Sequence, residues 1–273
     1  SKTINKIALI DADRYKHVVT YRVYQAIADE GKEHCKSLVN EIIDDYLSKD
    51  IFNCFKADSY IFCFSAPSRQ VFRNSICQEK GYKANRSVRH DPNHYAEKYD
   101  DMAYVFEYIK KRYQTLFYDD LEADDILSML QTENSFIFSH DKDLKQVVGW
   151  HWNFETYNLT YIEEEESLKL IAYQLLKGDA TDNIPGLKGF GDKAWTDFIN
   201  EFDSENITYD FILNRVLKIF IDKLGIINGF DTFNEMWNLI VLKRKRGLYL
   251  EERYKQAFFV FRNLEKQYAE HNT

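Results

Sequence analysis

The sequence has few cysteines and lacks the spacings that a zinc site or a disulfide framework requires. The four cysteines are Cys35, Cys54, Cys63 and Cys77, and no two of them form a Cys-x-x-Cys pair. This usage indicates a reducing compartment. The chain also lacks a Gly-x-Ser-x-Gly nucleophile elbow, a phosphate-binding P-loop and a His-Glu-x-x-His zinc signature. Covalent nucleophilic catalysis therefore has no support.

Long hydrophobic runs and a net positive charge are missing as well. No apolar run approaches the roughly 18 residues that a membrane helix needs, and the first residues lack the apolar core of a signal peptide. We therefore expect a cytoplasmic protein without a membrane partner. The formal net charge is −8, whereas nucleic-acid-binding proteins are more often basic. This is weak evidence against such a partner, since bound cations would offset clustered carboxylates.

The order of elements predicts an α/β domain followed by a helical lobe. Strands alternate with helices over residues 1–177, which predicts a mostly parallel central sheet flanked by helices. From residue 178 the pattern turns helical and predicts a C-terminal lobe over residues 178–273. The predicted strands are 6–10, 60–64, 116–118 and 135–139, with a strand or hairpin at 150–157, and the predicted helices are 24–55, 100–113, 122–130 and 163–176.

Acidic residues are concentrated where predicted strands end or helices begin. Asp11 follows an apolar run, and Asp141 and Asp143 follow another. Strand ends on one edge of a parallel sheet are where α/β proteins build their sites. Carboxylates brought together repel each other unless cations neutralise them, which predicts divalent metals. The predicted metal ligands are Asp11, Asp13, Glu122, Asp124, Asp125, Asp141, Asp143, Asp179 and Asp182.

Each acidic group also has an explanation that needs no metal. The acids of Glu122-Ala-Asp124-Asp125 favour the dipole of the helix that they begin. Asp141 is in a position typical of a helix N-cap, and turn chemistry explains the polar residues from 178 to 186. None of these explanations requires so many carboxylates, so the metal site is the favoured interpretation.

Two further segments have features of phosphate contacts. The glycines Gly186, Gly189 and Gly191 precede Lys193 in a turn that leads into a helix, where backbone N–H groups bind anions. No strand precedes this turn, so a duplex phosphate is a more fitting ligand than a dinucleotide pyrophosphate. The stretch around Tyr82-Lys83-Ala-Asn-Arg86 combines aromatic and basic residues, which suits stacking on bases and binding of phosphates. A solvated basic loop is the alternative.

Taken in order, these segments resemble the structure-specific 5′-nuclease family. This family comprises flap endonucleases, the 5′-nuclease domains of bacterial DNA polymerases and stand-alone bacteriophage 5′–3′ exonucleases, and the chain length suits the last group. The resemblance runs with gaps from Ile7 to about Trp195. It rests on Ile10-Asp11, Tyr82-Lys83-x-Asn85-Arg86, Glu122-Ala-Asp124-Asp125, Asp141-Lys-Asp143-Leu144 with Gln146, and the run from Gly178 through Asp179, Asp182 and Gly186 to Lys193-Ala194.

The resemblance implies a PIN-like nuclease core with a helical arch at about residues 74–114, and two bound Mg²⁺ ions for which Mn²⁺ substitutes. The first ion would be held by Asp11, Glu122, Asp124 and Asp125, and the second by Asp141, Asp143, Asp179 and Asp182. Lys83 and Arg86 would contact the scissile phosphate, and Tyr82 would stack on an unpaired base. Gly186, Gly189, Gly191 and Lys193 would form a helix–hairpin–helix-like grip on the duplex, with a bound K⁺ ion.

One position departs from the family pattern. Many members carry an aspartate after the second strand, where this chain has Ser65, and the spacing that follows is one residue longer. Asp13, two residues after Asp11, is the substitute that we expect.

The function that follows is that of a metal-dependent 5′–3′ exonuclease or 5′-flap endonuclease, which hydrolyses DNA phosphodiester bonds as a monomer. The expected partners are DNA with a 5′ end or flap and RNA–DNA hybrids. The alternatives are a nuclease of the same fold that acts mainly on RNA and a non-catalytic DNA-binding module. A dinucleotide-binding oxidoreductase is a distant third.

Overall fold

The structure is a computed structural model that describes residues 5–76, 81–85, 95–202, 205 and 207–243, except for the side chains of residues 96 and 97. Its described residues form two compact units. The first comprises the described parts of Ser1–Gln70, Val88–Asp141 and Gly149–Tyr161, and the second those of Val71–Ser87, Lys142–Val148 and Ile162–Thr273. These units do not coincide with the division predicted at residues 177 and 178, because the described parts of 71–87, 142–148 and 162–177 fall in the second unit.

A six-stranded sheet organises the first unit. Its strands are β1 (Ile7–Asp11), β2 (Ser59–Cys63), β3 (Thr115–Leu116), β4 (Ser135–Phe138), β5 (Gly149–Asn153) and β6 (Asn158–Ile162). The spatial order is β3-β2-β1-β4-β5-β6, and the pairs β1 with β2, β1 with β4, β2 with β3 and β4 with β5 are parallel. The predicted mostly parallel α/β fold is therefore confirmed. The stretch predicted as a strand or hairpin at 150–157 contains all of β5 except Gly149, together with the connection to the neighbouring strand β6.

The central strands end at the same edge of the sheet. Ile10 of β1 is in register with Phe62 of β2 and Phe138 of β4, and all three side chains are fully buried. Asp11 is the next residue of β1 and pairs with Cys63. The apolar residues thus anchor these strands in the core, and the residues that follow them are brought together at one edge.

The helix predicted at 24–55 is two helices, and the first begins much earlier. Helix α1 (Asp13–Glu30) buries Tyr15, Val19 and Val23. It ends at Gly31, whose φ of 67° is the left-handed conformation that glycine adopts at helix ends. Helix α2 (Lys36–Leu47) follows, and a π-helical turn (Ser48–Phe52) continues it.

The helix at the end of the predicted arch belongs to the core instead. After the short α3 (Tyr95–Lys98), helix α4 (Asp101–Arg112) buries Val105, Tyr108 and Ile109 in the same hydrophobic cluster as α1 and α2. The remainder of the predicted arch includes residues 77–80 and 86–94, which lie outside the described residues. The first unit is completed by α5 (Ala123–Leu130).

Helices form most of the described second unit, as predicted for the C-terminal part. They are α6 (Glu164–Lys177), α7 (Asp192–Ile199), α8 (Tyr209–Leu224) and α9 (Ile226–Ile240). Phe220 of α8 and Phe233 of α9 are fully buried with their rings 5.6 Å apart. Within the described parts of the chain, no helix combines the length and apolar character that crossing a membrane requires.

Candidate metal and nucleic-acid site

Carboxylates converge at the ends of β1 and β4 in the first unit. We define the first acidic cluster as Asp11, Asp13, Glu122, Asp124 and Asp141. Asp11 is 7% exposed, and its Oδ2 accepts a hydrogen bond of 2.8 Å from the hydroxyl of Ser139. The same hydroxyl accepts the backbone N–H of Asp141 at 3.0 Å. Ser139, the residue after β4, therefore ties the end of β1 to the start of the Asp141 segment.

The electrostatics of this cluster fit a bound cation. Burial, followed by the charges of Asp13 and Asp141, raises the pKa of Asp11 to about 7, although the Ser139 hydrogen bond opposes the shift. Burial and the charges of Asp141, Asp11, Glu122 and Asp125 raise the pKa of Asp124 well above its ordinary value. Repulsion and desolvation thus penalise the ionised carboxylates. A divalent cation would remove that penalty, and carboxylate oxygens are its preferred protein ligands.

Asp141 belongs to the first cluster rather than to the second, where the resemblance had put it. Its charge contributes to the raised pKa of both Asp11 and Asp124. A 3-10 helix (Lys142–Gln146) begins directly after it, and within this helix Asp143 lies with a different set of acids. Two aspartates only two positions apart are therefore divided between the two compact units.

Ser65 connects Asp13 to the start of helix α5. The backbone N–H of Ser65 donates to Oδ1 of Asp13 at 3.1 Å, and its hydroxyl accepts the N–H of Ala123 at 2.8 Å. Lys16 also pairs with Oδ1 of Asp13 at 3.1 Å. Ser65, which stands where many members of the similar family have an aspartate, thus pairs with the first backbone N–H group of α5. It also holds Asp13 beside Asp11. That Asp13 substitutes for the missing aspartate as a metal ligand stays a prediction.

Helix capping accounts for the position of Asp125. Its side chain is fully buried, and its Oδ2 accepts the backbone N–H of Glu122, the residue before α5, at 3.2 Å. A carboxylate at this position stabilises the first turn of a helix. Asp124, by contrast, interacts electrostatically with Asp11 and Asp141, whose charges raise its pKa. We therefore interpret Asp125 chiefly as a structural residue, which the sequence pattern alone did not reveal.

A second acidic cluster, defined as Asp143, Asp179 and Asp182, lies within the second unit. One carboxylate oxygen from each residue lies within 4.8 Å of the others. Oxygens that share one Mg²⁺ are at most about 4.2 Å apart, and those that share one Ca²⁺ at most about 5 Å. The three side chains are therefore close to a spacing at which a single hard cation can bind them.

Two glycines build the loop that carries Asp179 and Asp182. Asp179 and Ile184 form an antiparallel bridge with hydrogen bonds of 2.8 and 2.9 Å, which closes the loop after α6. At its base a Cβ on Gly178 would lie 2.2 Å from the carbonyl oxygen of Ile184, and one on Gly186 would lie 2.3 Å from the nitrogen of Gly178. Only glycine permits this approach of two backbones.

Lys83 is held beside this loop by its backbone. Its N–H donates to the carbonyl oxygen of Asp182 at 2.9 Å, and its φ is 56°. Asn85 donates from its side chain to the carbonyl of Ala180 at 2.7 Å, and Asn183 donates to the carbonyl of Gly81 at 2.9 Å. Residues 81–85 therefore dock through reciprocal contacts on the loop that carries Asp179 and Asp182. The contact of Lys83 with a metal-bound phosphate stays a prediction.

The expectation for Tyr82 finds no support. Its side chain is 8% exposed, and the ammonium of Lys83 lies 4.9 Å from its ring centroid. A buried ring with a cation on its face does not offer a free surface to a nucleobase. Arg86, the other predicted phosphate contact, lies outside the described residues, as do residues 244–246 of the basic run that begins at Lys243.

The glycine-rich turn leads into α7 as predicted, and it has a cationic neighbour that the sequence did not reveal. Gly189 has a φ of 81°, and a Cβ there would lie 2.8 Å from the ammonium nitrogen of Lys223. Gly191 is the N-cap of α7, and Lys193 is exposed in its first turn. Lys223 follows Gly189 by more than thirty positions near the end of α8, so no local pattern connects them.

An α/β unit whose parallel strands end in clustered carboxylates is an arrangement that fits the class of metal-dependent hydrolases of phosphate esters. Residues 6–172 match the family model described as 5′-3′ exonuclease, N-terminal resolvase-like domain. The 5′-3′ exonuclease of Buchnera aphidicola subsp. Acyrthosiphon pisum is 33% identical over 222 residues, which cover 74% of this chain and 73% of that protein. The exonuclease of Escherichia phage T7 is 30% identical over 50% of this chain and 47% of its own.

The chain belongs to the 5′–3′ exonuclease family, which confirms the resemblance and the predicted enzyme class, a 5′-nuclease. The fold agrees. The T5 5′-exonuclease with bound divalent zinc ions aligns with a TM-score of 0.55 at 17% identity, over 94% of this chain and 89% of that one. The T5 flap endonuclease in a complex with DNA and metal ions aligns with a TM-score of 0.54, over 94% of this chain and 99% of that one.

Proposed function

We propose that the protein removes nucleotides from the 5′ ends and 5′ flaps of DNA by hydrolysis assisted by two divalent ions. The observation that carries the proposal is the set of buried, mutually repelling carboxylates at the ends of β1 and β4, in the segment that matches the family. Such a cluster is costly for folding unless it binds cations. These carboxylates lie at the ends of parallel strands, which is where α/β enzymes have their active sites.

The clusters divide the ligands between two ions. Asp11, Asp124 and Asp141 would hold the first, with Glu122 and with Asp13 in place of the missing aspartate. The second acidic cluster, Asp143, Asp179 and Asp182, would hold the other. Bound ions of this kind lower the pKa of a water molecule and stabilise the leaving oxygen. Oxygen ligands favour Mg²⁺, with Mn²⁺ as a substitute.

Lys83 would neutralise charge on the phosphoryl oxygens, because its backbone is anchored to Asp182 at 2.9 Å. Arg86 remains a proposed second phosphate contact. The glycine-rich turn, Lys193 and Lys223 would hold the phosphates of the duplex, with a K⁺ ion at the turn. The proposed substrate is DNA, as in the T5 complex, and RNA–DNA hybrids are a further proposed substrate. A monomer suffices, because each cluster is formed by one chain.

A labelled-substrate panel tests this proposal. A 5′-flap duplex, a blunt duplex, an RNA–DNA hybrid and single-stranded RNA would each be incubated with Mg²⁺, Mn²⁺ or chelator. We expect flap and 5′-end cleavage that requires the metal and leaves a 5′-phosphate on the products, and we expect Asp124→Asn to lack it. Cleavage that persists in chelator would overturn the metal mechanism. Preference for RNA would support the ribonuclease alternative, and binding without cleavage would support the DNA-binding module.

A further inference from the structure

Two buried glutamines connect the second acidic cluster to the end of helix α9. Gln174 of α6 donates from Nε2 to Oδ1 of Asp143 at 2.7 Å. Its Oε1 accepts a hydrogen bond from Nε2 of Gln146, also at 2.7 Å. Gln174 is 5% exposed and Gln146 is 2% exposed, so both amides are removed from water. A buried amide must be satisfied by protein partners, and these contacts supply them.

The direction of this chain of hydrogen bonds is set by backbone groups. Oε1 of Gln146 accepts the N–H of Leu242 at 3.2 Å, and its Nε2 also donates to the carbonyl oxygen of Ile240 at 3.0 Å. A backbone N–H can only donate and a carbonyl can only accept, so the amide of Gln146 has one permitted orientation. The hydroxyl of Ser167 donates to the backbone carbonyl of Gln146 and fixes its main chain.

The fixed orientation of Gln146 determines that of Gln174. Because Gln146 presents an N–H group, Gln174 must turn its oxygen toward it and its own N–H group toward Asp143. The opposite orientation would place two oxygens against each other at Asp143 and two N–H donors against each other at Gln146. The network therefore presents a donor of fixed orientation to Oδ1 of the Asp143 carboxylate.

We propose that Gln174, oriented by Gln146, is a positioning residue that holds Asp143 in the geometry for binding a divalent ion. The inference rests on the proposed function, in which the second acidic cluster binds that ion. Asp143 is carried by a short 3-10 helix, whereas Asp179 and Asp182 are carried by the loop after α6. The Gln174 side chain projects from α6 and so couples the aspartate of one segment to the helix that leads into the other.

Partners that orient a metal ligand typically contribute a factor of 10–100 in metal affinity. The test is a calorimetric titration of the full chain with Mn²⁺, in which Asp179→Asn identifies the ion bound by the second acidic cluster. We expect Gln174→Met to weaken this ion by a factor of about 10–100 and to leave the other ion unchanged. Gln174→Glu, which places a carboxylate against Asp143, should weaken it at least as much. Gln146→Met should also weaken it, since Gln174 is then free to reverse its amide.

Gln131→Met is the matched control. Gln131 also makes internal amide hydrogen bonds, to Trp150 at 3.1 Å and to Ser135 at 2.5 Å, but neither partner is acidic. Its isotherm should equal that of the wild type. The free energy of unfolding would be measured in chelator for every variant, to establish that each variant is folded. In cleavage assays, Gln174→Met should need more Mg²⁺ for half-maximal activity, and its rate at saturating Mg²⁺ should largely recover.

The outcomes separate the inference from the function on which it rests. Suppose that Asp179→Asn loses an ion but that Gln174→Met and Gln146→Met bind both ions as the wild type does. This result would overturn the positioning role alone. An equal loss in Gln131→Met would overturn it too, because the effect would then be general destabilisation. If Asp179→Asn leaves the wild-type isotherm unchanged, the second acidic cluster binds no ion, and the two-ion proposal fails together with the inference.

Discussion

Replacing Asp11 by asparagine should stabilise the metal-free protein at alkaline pH. Burial and neighbouring charges raise the pKa of Asp11 from 3.8 to about 7 in the folded state. The carboxyl therefore favours folding below its unfolded-state pKa, and that stability is lost as the pH rises through about 7. A shift of this size corresponds to about 4 kcal/mol at pH 8, as an upper value. Asparagine carries no charge, and its amide oxygen can still accept the hydrogen bond that Ser139 donates.

The assay is urea unfolding in chelator at pH 4 and pH 8, followed by tryptophan fluorescence. Asp11→Asn should be more stable than the wild type by about 2–4 kcal/mol at pH 8, and the difference should largely vanish near pH 4. The matched control is Asp45→Asn, an exposed aspartate on α2, which should change stability by less than about 0.5 kcal/mol. Equal or lower stability of Asp11→Asn at pH 8 would refute the claim that uncompensated charge accumulates at Asp11.

Three further substitutions test the roles proposed for individual side chains. Asp124→Asn and Asp141→Asn should each abolish Mg²⁺-dependent flap cleavage while circular dichroism shows an intact fold; a folded variant with near-normal activity would contradict the ligand assignment. Lys83→Ala should lower the turnover rate by a factor of about 100 with little change in duplex affinity, since one preorganised cationic contact has that effect, and equal losses in both would make Lys83 a docking residue. Lys223→Ala should weaken duplex binding and reduce the slope of log affinity against log salt by about 1. Lys169→Ala, which removes a lysine paired with Glu165 on α6, is its control and should leave the slope unchanged.

Features carried by contiguous residues could be predicted from the sequence. The apolar run that ends at Asp11 forms β1, one of the two central strands, and the acids from Glu122 to Asp125 begin a helix as expected. Both features depend on local patterns of neighbouring residues: an apolar run predicts a buried strand, and clustered acids predict the start of a helix. The glycines at 178 and 186 likewise reflect one tight loop.

Features that depend on tertiary contacts could not be predicted. Asp141 and Asp143 are only two positions apart and belong to the same motif. A 3-10 helix begins between them, however, and their side chains lie in different clusters. Asp125 is of a residue type that binds metals, but its carboxylate oxygen caps a helix. Lys223 and Gln174 lie in no motif, since their roles arise only from packing against Gly189 and Asp143. Propensity and spacing contain no information about such long-range partners.

Anomalous diffraction from crystals of the full chain soaked in Mn²⁺ tests the central claim most directly. We expect one peak within coordination distance of Asp11, Asp124 and Asp141, and another within coordination distance of Asp143, Asp179 and Asp182. Crystals of Asp124→Asn should lose the first peak. Mn²⁺ peaks that lie away from both carboxylate sets, or an Asp124→Asn crystal with both peaks at full height, would contradict the account.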